Sequence, residues 1–554
     1  MKNFFSKIGR ALTGRKGIGN SMTVAIIIAV VMFNILAYTI TSAFDLYVYS
    51  EKKDDYTISG NTDALFESAI DMGKKVTITF CYTEESLEFH DTGSLVLKTA
   101  RDFEKRYDGF IELKFVNLLT KLDEDKNIVD FKPYCNVVCS NEDILTGEKC
   151  KETMRYVDLD PEDPKCTSCG GKIDVKNDIV YNFNQSSVIF ETGSGRDYNY
   201  RVLTDNYTSA GFVDFYILNS SSSIVSYNGE EVMAAMISWV LHDNHPTVYL
   251  TQNHGETADI ALSNLLTCAG YYVEAINLRK DEIPSDAGMV IISNPTSDFE
   301  SVVEGATRRG EIDKLDHYLS KGGKLYVAFD PYVKRLPNLE KLLSDWGIKI
   351  SGDYNENEVF VRDIVKESSE AITADGYTFI ATYADNSKAN EVFAKVDVFG
   401  TDKVLMSNVA KLDLINDNAK GTEVSPILIS GSTSSTHAGG EMTDSQGGYA
   451  VAACATKTVE NKEAVLFVLP TAYITATDAF ISDSYSNKDF LFATLDVLFD
   501  SNPAPYGCNQ LLYDTQTLEN LTMGKARLYT GLILLIPAVL AIVGTVIIVK
   551  RKNR

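Results

Sequence analysis

Two long runs of uncharged, mostly apolar residues lie near the ends of the chain, at residues 22–44 and 528–549. An α-helix needs roughly 20 apolar residues to cross a hydrocarbon core of ~30 Å, and each run is long enough. The residues between them contain no other run of this kind. The pattern therefore predicts two transmembrane helices that flank a large water-exposed block.

Basic residues indicate the side of the membrane on which the two tails lie. Residues 1–21 carry five Lys or Arg and no acid, and residues 550–554 carry four. Because Lys and Arg concentrate in cytoplasmic flanks, we expect a two-pass protein of the cell membrane with both termini in the cytoplasm and an extracytoplasmic block. A cleaved signal peptide is the alternative for the first run, but its apolar region is usually only about 7–15 residues long.

The first part of the block, residues 45–225, has the pattern of a small α/β domain. Residues 75–82 alternate as a strand does, residues 94–107 carry apolar side chains at helical spacing, and residues 110–118 form a second strand. This β-α-β order predicts parallel strands in a thioredoxin-like domain. A polar, cysteine-rich insertion follows at residues 132–177.

A clearer alternation of strands and helices fills residues 226–350. Apolar strands are predicted at residues 247–252, 272–278 and 324–330, with helical patterns between them. Buried strands that alternate with helices are typical of a doubly wound sheet. Residues 351–526 are a β-rich continuation that ends in a linker. The predicted fold class is therefore α/β.

Charge narrows the range of partners. The chain of 554 residues has a formal net charge of −24. So acidic a protein repels nucleic acid rather than binding it, and no basic patch with interleaved aromatic residues appears. We therefore expect the membrane, but no nucleic acid, among its partners.

Five of the nine cysteines fall in the insertion: Cys135, Cys139, Cys150, Cys166 and Cys169. The spacing is C-x3-C, then a single cysteine, then C-x2-C before two glycines. The two pairs would supply four thiolates for a tetrahedral metal site and leave Cys150 over. Outside the cell disulfides are the commoner outcome, so disulfides, a structural zinc and free thiols all remain open. We expect the other four cysteines to be small core residues: Cys81, Cys268, Cys454 and Cys508.

The segment Asn253, His254, Gly255 and Glu256 follows a predicted strand of the doubly wound sheet. Ligands bind such sheets at the carboxyl ends of their strands, so we expect these residues to bind a polar group or a cation. Asp330 ends another strand and would face the same crevice. The alternative is structural: His254 and Glu256 cap the next helix and tie the loop down.

Short segments in a fixed order carry a resemblance to a known family: DDYTIS at 54–59, NGEE at 228–231, NHGE at 253–256, NP at 294–295, GGK at 322–324, DP at 330–331 and WGI at 346–348. The chain resembles the auxiliary membrane proteins of ABC export systems that include the gliding-motility accessory protein. It departs from them in the cysteine insertion and near residues 468–470, where a Gly-Asp-Ser-like turn would be usual.

The resemblance implies a class I amidotransferase-like central domain without amidotransferase chemistry, and an ABC permease and ATPase as partners. An amidotransferase nucleophile must lie on a sharp strand-to-helix turn, whereas Cys268 is predicted late in a helix. We therefore expect a non-enzymatic accessory subunit of an export complex whose outer domains bind a partner or ligand. The alternatives are a stand-alone cell-surface binding protein, for a glycan among other ligands, and a divergent hydrolase.

Overall fold

The computed structural model describes residues 56–513, except 143–146, 148, 182, 195–197, 205–210, 220–221, 257–259, 302–308, 398–401, 416–420 and 482–483. Helices and sheets are mixed in this part, which is therefore of the α/β class. The two predicted transmembrane helices and both basic tails lie outside the described residues. Within the described residues, no helix is long and apolar enough to cross a membrane.

The first part begins with two strands joined by helices. The elements in chain order are α1 (Asp63–Asp71), β1 (Val76–Phe80), α2 (Glu84–Glu88), α3 (Gly93–Arg106), β2 (Ile111–Asn117) and β3 (Leu122–Asp123). The register pairs Val76 with Ile111 and Phe80 with Phe115 in parallel. The predicted β-α-β unit is confirmed, because the apolar face of α3 buries Leu97, Ala100 and Phe103.

The cysteine-rich insertion forms a small sheet with its own core. Its elements are β4 (Asn136–Val138), β5 (Thr153–Arg155), α4 (Val175–Asp178) and β6 (Ile179–Val180). β4 is the central strand and pairs antiparallel with both neighbours. Val137, Met154 and Ile173 are buried together in this unit. The insertion therefore packs around its own apolar residues.

Two further strands complete the first sheet, β7 (Val188–Thr192) and β8 (Asn199–Leu203). β7 pairs antiparallel with β1, so the order is β3-β2-β1-β7-β8 and the sheet is mixed. Parallel pairing occurs only between β1 and β2 among the described strands of this sheet. The helical connection between β1 and β2 allows these two strands to run parallel. β7 follows the long insertion, so its direction relative to β1 is not restricted in this way.

A central helix then packs between the first sheet and the second. β9 (Tyr216–Leu218) and β10 (Ile224–Tyr227) lead into α5 (Gly229–Leu241). Twelve of the thirteen residues of α5 are buried, and the helix packs against β7 and β8 on one side and the following helix on the other. A helix that is apolar all round lies in a core.

The doubly wound pattern is present over the predicted residues. Its elements are β11 (Thr247–Thr251), α6 (Ile260–Cys268), β12 (Tyr272–Ile276), β13 (Met289–Ser293), α7 (Glu311–Leu319), β14 (Lys324–Ala328) and α8 (Pro337–Asp345). The four strands are parallel in the order β12-β11-β13-β14. All five residues of β13 are buried, as expected for a parallel strand covered on both faces.

The β-rich continuation adds many strands and three helices. They are β15 (Ile348–Ile350), β16 (Gly352–Tyr354), β17 (Phe360–Arg362), β18 (Ile364–Lys366), β19 (Thr378–Tyr383), α9 (Ser387–Val396), β20 (Val404–Ser407), β21 (Leu412–Leu414), β22 (Glu423–Ile429), β23 (Ser435–Ala438), β24 (Glu441–Asp444), β25 (Ala450–Val459), β26 (Lys462–Leu469), α10 (Thr477–Phe480), α11 (Asn487–Phe499) and β27 (Leu511–Leu512).

The large sheet does not end at the last predicted parallel strand. β26 lies beside β14 in parallel, with Val327 opposite Val468, and β25 then continues the sheet in antiparallel pairing. The resulting order is β12-β11-β13-β14-β26-β25-β22-β19-β20, with β15 and β21 attached at the side. The continuation therefore belongs to the same sheet as the doubly wound part.

The two ends of the described block meet at the buried carboxylate of Glu230. Glu230 lies in the first turn of α5, and its oxygens accept hydrogen bonds from the Ser59 N–H at 2.9 Å, the Ser59 hydroxyl at 2.7 Å and the Asn509 N–H at 2.8 Å. The Tyr56 hydroxyl donates to the Asn509 carbonyl at 3.2 Å. β27 also pairs with β10 beside them. The entering and leaving segments are thus held side by side.

We predict that Glu230→Gln destabilises the fold. A carboxamide offers one acceptor oxygen in place of two, so at least one of the N–H groups of Ser59 and Asn509 loses its acceptor, at a cost of about 1–3 kcal/mol. Thermal unfolding of the full chain in detergent measures the change. Glu67→Gln is the matched control, since Glu67 is exposed on α1; equal stability of the two variants would contradict the role of Glu230.

Candidate functional site

Four cysteine sulfurs of the insertion lie in one cluster. The Sγ atoms of Cys139, Cys150, Cys166 and Cys169 are all within 4.8 Å of one another. Cys139 and Cys169 are 3.7 Å apart, and Cys150 and Cys166 are 3.6 Å apart. These distances are far longer than a disulfide bond of about 2.05 Å. The four thiols are therefore unbonded to one another and close enough for one metal ion to be held among them.

Two antiparallel hairpins carry these sulfurs. Cys139 directly follows β4, and the Cys150 N–H donates to the Asn141 carbonyl across a hairpin. In the second turn the Gly170 N–H donates to the Cys166 carbonyl, and Gly170 has a left-handed φ of 68°. Glycine adopts this conformation without a Cβ clash. Each turn supplies two thiols to the same point.

The Asn141 side chain joins the two turns. Its Nδ2 atom donates to the Cys139 sulfur at 3.1 Å and to the Lys172 carbonyl at 3.1 Å. In metal sites, a hydrogen bond from a neighbouring side chain to a metal-binding atom helps to orient that atom. Residues of both turns are therefore fixed relative to one another by a single carboxamide.

The predicted grouping of the cysteines was wrong in one member. Cys135 lies before β4 and its thiol donates to the Phe131 carbonyl at 3.3 Å, away from the cluster. Cys150, which the predicted set of four ligands did not include, lies in the cluster instead of Cys135. The physical reason is that Cys135 and Cys139 flank one extended strand, and four residues of strand span about 13 Å. Two ligands of one metal cannot lie so far apart.

The surroundings of the sulfurs shift their acidities in opposite directions. Burial acts to raise the pKa of Cys166, but hydrogen bonds from the backbone N–H groups of Cys169 and Ser168 and from neighbouring thiols outweigh it and lower the pKa to about 7. Burial raises the pKa of Cys139 to about 11, against the hydrogen bonds from Asn141. The cluster thus has one thiol that ionises readily near neutral pH.

The His254 imidazole is completely buried and held between two carboxylates. Its Nε2 atom lies 2.9 Å from Glu311 and its Nδ1 atom 3.3 Å from Glu256. The ring stacks on Phe299 at 3.8 Å between centroids. Glu256 also accepts from the Thr251 hydroxyl at 2.9 Å. Both ring nitrogens already have partners within the protein.

This geometry favours the structural alternative for the loop. Glu311 begins α7, so His254 ties its loop to α7 rather than capping the next helix, α6. Gly255 has a φ of 79°, and a Cβ there would lie 1.9 Å from the Thr296 hydroxyl oxygen. Asn253 is exposed with a φ of 83°. Ligand binding by this loop stays a prediction.

Asp330 lies at the same edge of the sheet but has a different role. Its carboxylate accepts the N–H of Tyr332 at 2.9 Å and so shapes the turn after β14. That turn borders a cavity of about 330 Å³ lined with aromatic side chains. The position of Asp330 beside a cavity could be expected from the strand pattern, whereas the cavity's other walls come from the β-rich continuation.

Cys268, the cysteine that an amidotransferase-like enzyme would need as nucleophile, is the last residue of α6. It is buried, and burial raises the pKa of its thiol well above the usual range. A nucleophilic cysteine needs an accessible, readily ionised thiol. Of the other predicted core cysteines, Cys81 and Cys454 are buried and Cys508 is half-buried.

No protein-family model and no curated protein matches the chain. Among solved structures, the "mmIFT52 N-terminal domain" is similar at 16% identity and a TM-score of 0.32, covering 46% of this chain and 96% of that one. PurLQS from Thermotoga maritima matches at 12% identity and a TM-score of 0.26, covering 46% and 100%. A putative ThuA-like protein from Bacteroides uniformis matches at 10% identity and 0.27, covering 48% and 97%.

TM-scores of this size are too low to establish a shared fold. None of these three structures is titled as a gliding-motility accessory protein. The family resemblance of the sequence therefore stays a prediction.

We predict that stability falls as the pH rises through the His254 titration. Burial lowers the pKa of His254, but the hydrogen bonds and charges of Glu256 and Glu311 outweigh it and raise the pKa above the ordinary 6.5. The contribution of the imidazolium is therefore complete below about pH 6.5 and is lost as the pH rises through the folded-state pKa. Thermal unfolding of the full chain across pH 6–9 measures this decline.

His254→Gln should remove that part of the pH dependence. It should also lower the free energy of unfolding, by up to about 3–5 kcal/mol, because the buried Glu311 loses its nearer charge partner and keeps only Arg279 at 3.8 Å. His317→Gln is the control, since His317 is exposed on the same helix, α7. An unchanged alkaline decline in His254→Gln would show that another group is responsible.

Proposed function

We propose that the chain is a non-enzymatic accessory subunit of an ABC-type export complex. Two transmembrane helices at residues 22–44 and 528–549 would hold the described block outside the membrane. There the block would bind a partner or ligand, while a separate permease and ATPase carry out transport. This proposal rests on the sequence pattern and the family resemblance, to which the structure adds two supporting observations.

The first observation is the set of hydrogen bonds by which Glu230 holds both ends of the block. A block with a transmembrane helix at each end needs its first and last segments close together if both helices leave toward the same membrane. Ser59 and Asn509 are bound by the same carboxylate, and the Asn509 side chain also donates to the Thr57 carbonyl at 2.9 Å. This arrangement supports a block that is held at both ends.

The surroundings of Cys268 support a non-enzymatic role. In an amidotransferase-like domain the nucleophile must be exposed at a turn. Cys268 instead lies in the core with Leu265 and Leu266. The His254 ring, the other side chain suited to acid–base chemistry at this edge, is enclosed between two carboxylates.

We further propose that the cysteine cluster binds a structural zinc ion. Four sulfurs at a Zn–S distance of about 2.3 Å in a tetrahedron are about 3.8 Å apart, close to the 3.7 and 3.6 Å measured here. The insertion has a core of few apolar residues, and units this small usually need metal or disulfides. Zinc would then stabilise the fold of the insertion.

The transport role predicts a partner. When the full chain is purified in mild detergent from its native membrane, an ABC permease and an ATPase with a Walker A motif should copurify in fixed ratio. Mass spectrometry of the eluate identifies them. An equally tagged, unrelated two-pass protein is the control, and absence of any ABC component at every detergent concentration would contradict the proposal.

The zinc proposal predicts one zinc per chain and four thiols that become reactive only when a chelator removes the metal. Elemental analysis and thiol counting on the purified full chain measure both. Cys169→Ser should lose the metal, because three thiolates remain. Cys135→Ser is the matched control and should keep it, since the Cys135 sulfur faces Phe131 instead.

Two results would contradict zinc binding. One is a disulfide between Cys139 and Cys169 or between Cys150 and Cys166, identified by peptide mapping of the untreated protein. The other is equal zinc content in the Cys135→Ser and Cys169→Ser variants.

A further inference from the structure

A cavity with aromatic walls lies beside the carboxyl end of β14. Its volume is about 330 Å³, within the range of roughly 300–1,000 Å³ for small-molecule sites. The side chains that matter here are Tyr332, Phe360, Arg362, Tyr377 and His437. The turn after β14 supplies Tyr332, and β17 and β23 supply the opposite side. Ligands bind α/β sheets at this edge.

One ring of the cavity is displayed to solvent. Tyr332 is 63% exposed although it is a large aromatic residue, and its hydroxyl is anchored by a hydrogen bond of 3.2 Å to Asn408. The other rings are set at angles to one another: Tyr377 and His437 meet at 79° with centroids 6.5 Å apart. An exposed, anchored ring offers an apolar face with little loss of conformational entropy on binding.

Arg362 keeps the cavity wall in one conformation. It is 5% exposed and donates to the Pro331 carbonyl at 3.0 Å, to the Val333 carbonyl, and to Glu340 at 2.7 Å. These contacts fix the turn that carries Tyr332. A preformed wall lowers the cost of binding.

Charge excludes two classes of ligand. Arg335 and Lys366 do not line the cavity, but their charged groups lie 4.7 Å from the Phe360 centroid and 5.5 Å from the Tyr377 centroid, so a cation stacked on either ring would be repelled. Glu340 pairs with both Arg335 and Arg362, so neither guanidinium is left to bind an anionic ligand. The class of ligand that remains is neutral and has an apolar face.

We propose that this cavity binds a neutral saccharide. A pyranose ring has an apolar face of C–H groups that stacks on an aromatic ring, and a rim of hydroxyls that bonds to backbone and side-chain polar groups. The exposed face of Tyr332 would take the sugar ring, and His437 and the backbone around Gly439 would meet the hydroxyls. The inference rests on the proposed role of the outer block in binding a ligand.

Calorimetric titration of the full chain in detergent tests this with three probes: cellohexaose, maltohexaose and β-1,4-mannohexaose. We expect at least one to bind with a Kd below about 1 mM. Tyr332→Ala should weaken that binding about tenfold or more, because the stacking surface is lost. Tyr181→Ala is the matched control, since Tyr181 is 50% exposed and does not line the cavity.

Absence of binding by all three saccharides up to about 10 mM would overturn the proposal. So would equal binding in Tyr332→Ala and the native chain, or tighter binding of hexagalacturonate or tetramethylammonium than of the neutral probes. Capture of an ABC permease is measured separately and does not involve Tyr332. The saccharide site and the transport role can therefore fail independently.

Discussion

A buried carboxylate closes the described block of this protein. Glu230 is fully buried in the first turn of α5, and burial raises its pKa against the hydrogen bonds that favour its charged form. A helix N-terminus stabilises negative charge, and N–H groups from both ends of the block complete the solvation that water would otherwise provide. The same helix packs against the first sheet and against α6. The Glu230 carboxylate therefore holds both ends of the block on a helix that also packs against the first sheet and α6.

Much of the secondary structure follows from the sequence because periodicity is a local property. The strands β1, β2, β11, β12 and β14 and the helix α3 lie within a few residues of their predicted positions. Pairing between distant segments is a different matter. The local sequence pattern does not show that β26 lies next to β14, because that pairing depends on how the apolar faces of all the strands are arranged. The union of the two parts into one sheet was therefore not predicted.

In the candidate sites, too, the local features were predicted and the contacts between distant segments were not. The cysteine segment was recognised from composition, but spacing paired Cys135 with Cys139, whereas the hairpin that brings Cys150 to the cluster depends on backbone hydrogen bonds. The His254 loop was placed at the correct edge of the sheet, yet its partner Glu311 is 57 residues away and carried no signal. The Tyr332 cavity was missed, because its walls come from segments more than 100 residues apart.

The position of β26 also determines when the fold can form. Residues 324–328 of β14 are synthesised well before residues 462–469, yet β26 is the neighbour that covers the edge of β14. Ribosomes add roughly 5–20 residues per second, so the backbone N–H and C=O groups on that edge of β14 stay without this partner for several seconds after they emerge. An uncovered edge of this kind is a site for wrong pairing with other chains. The β14–β26 pair at the centre of the sheet can therefore form only after residues 462–469 have been synthesised.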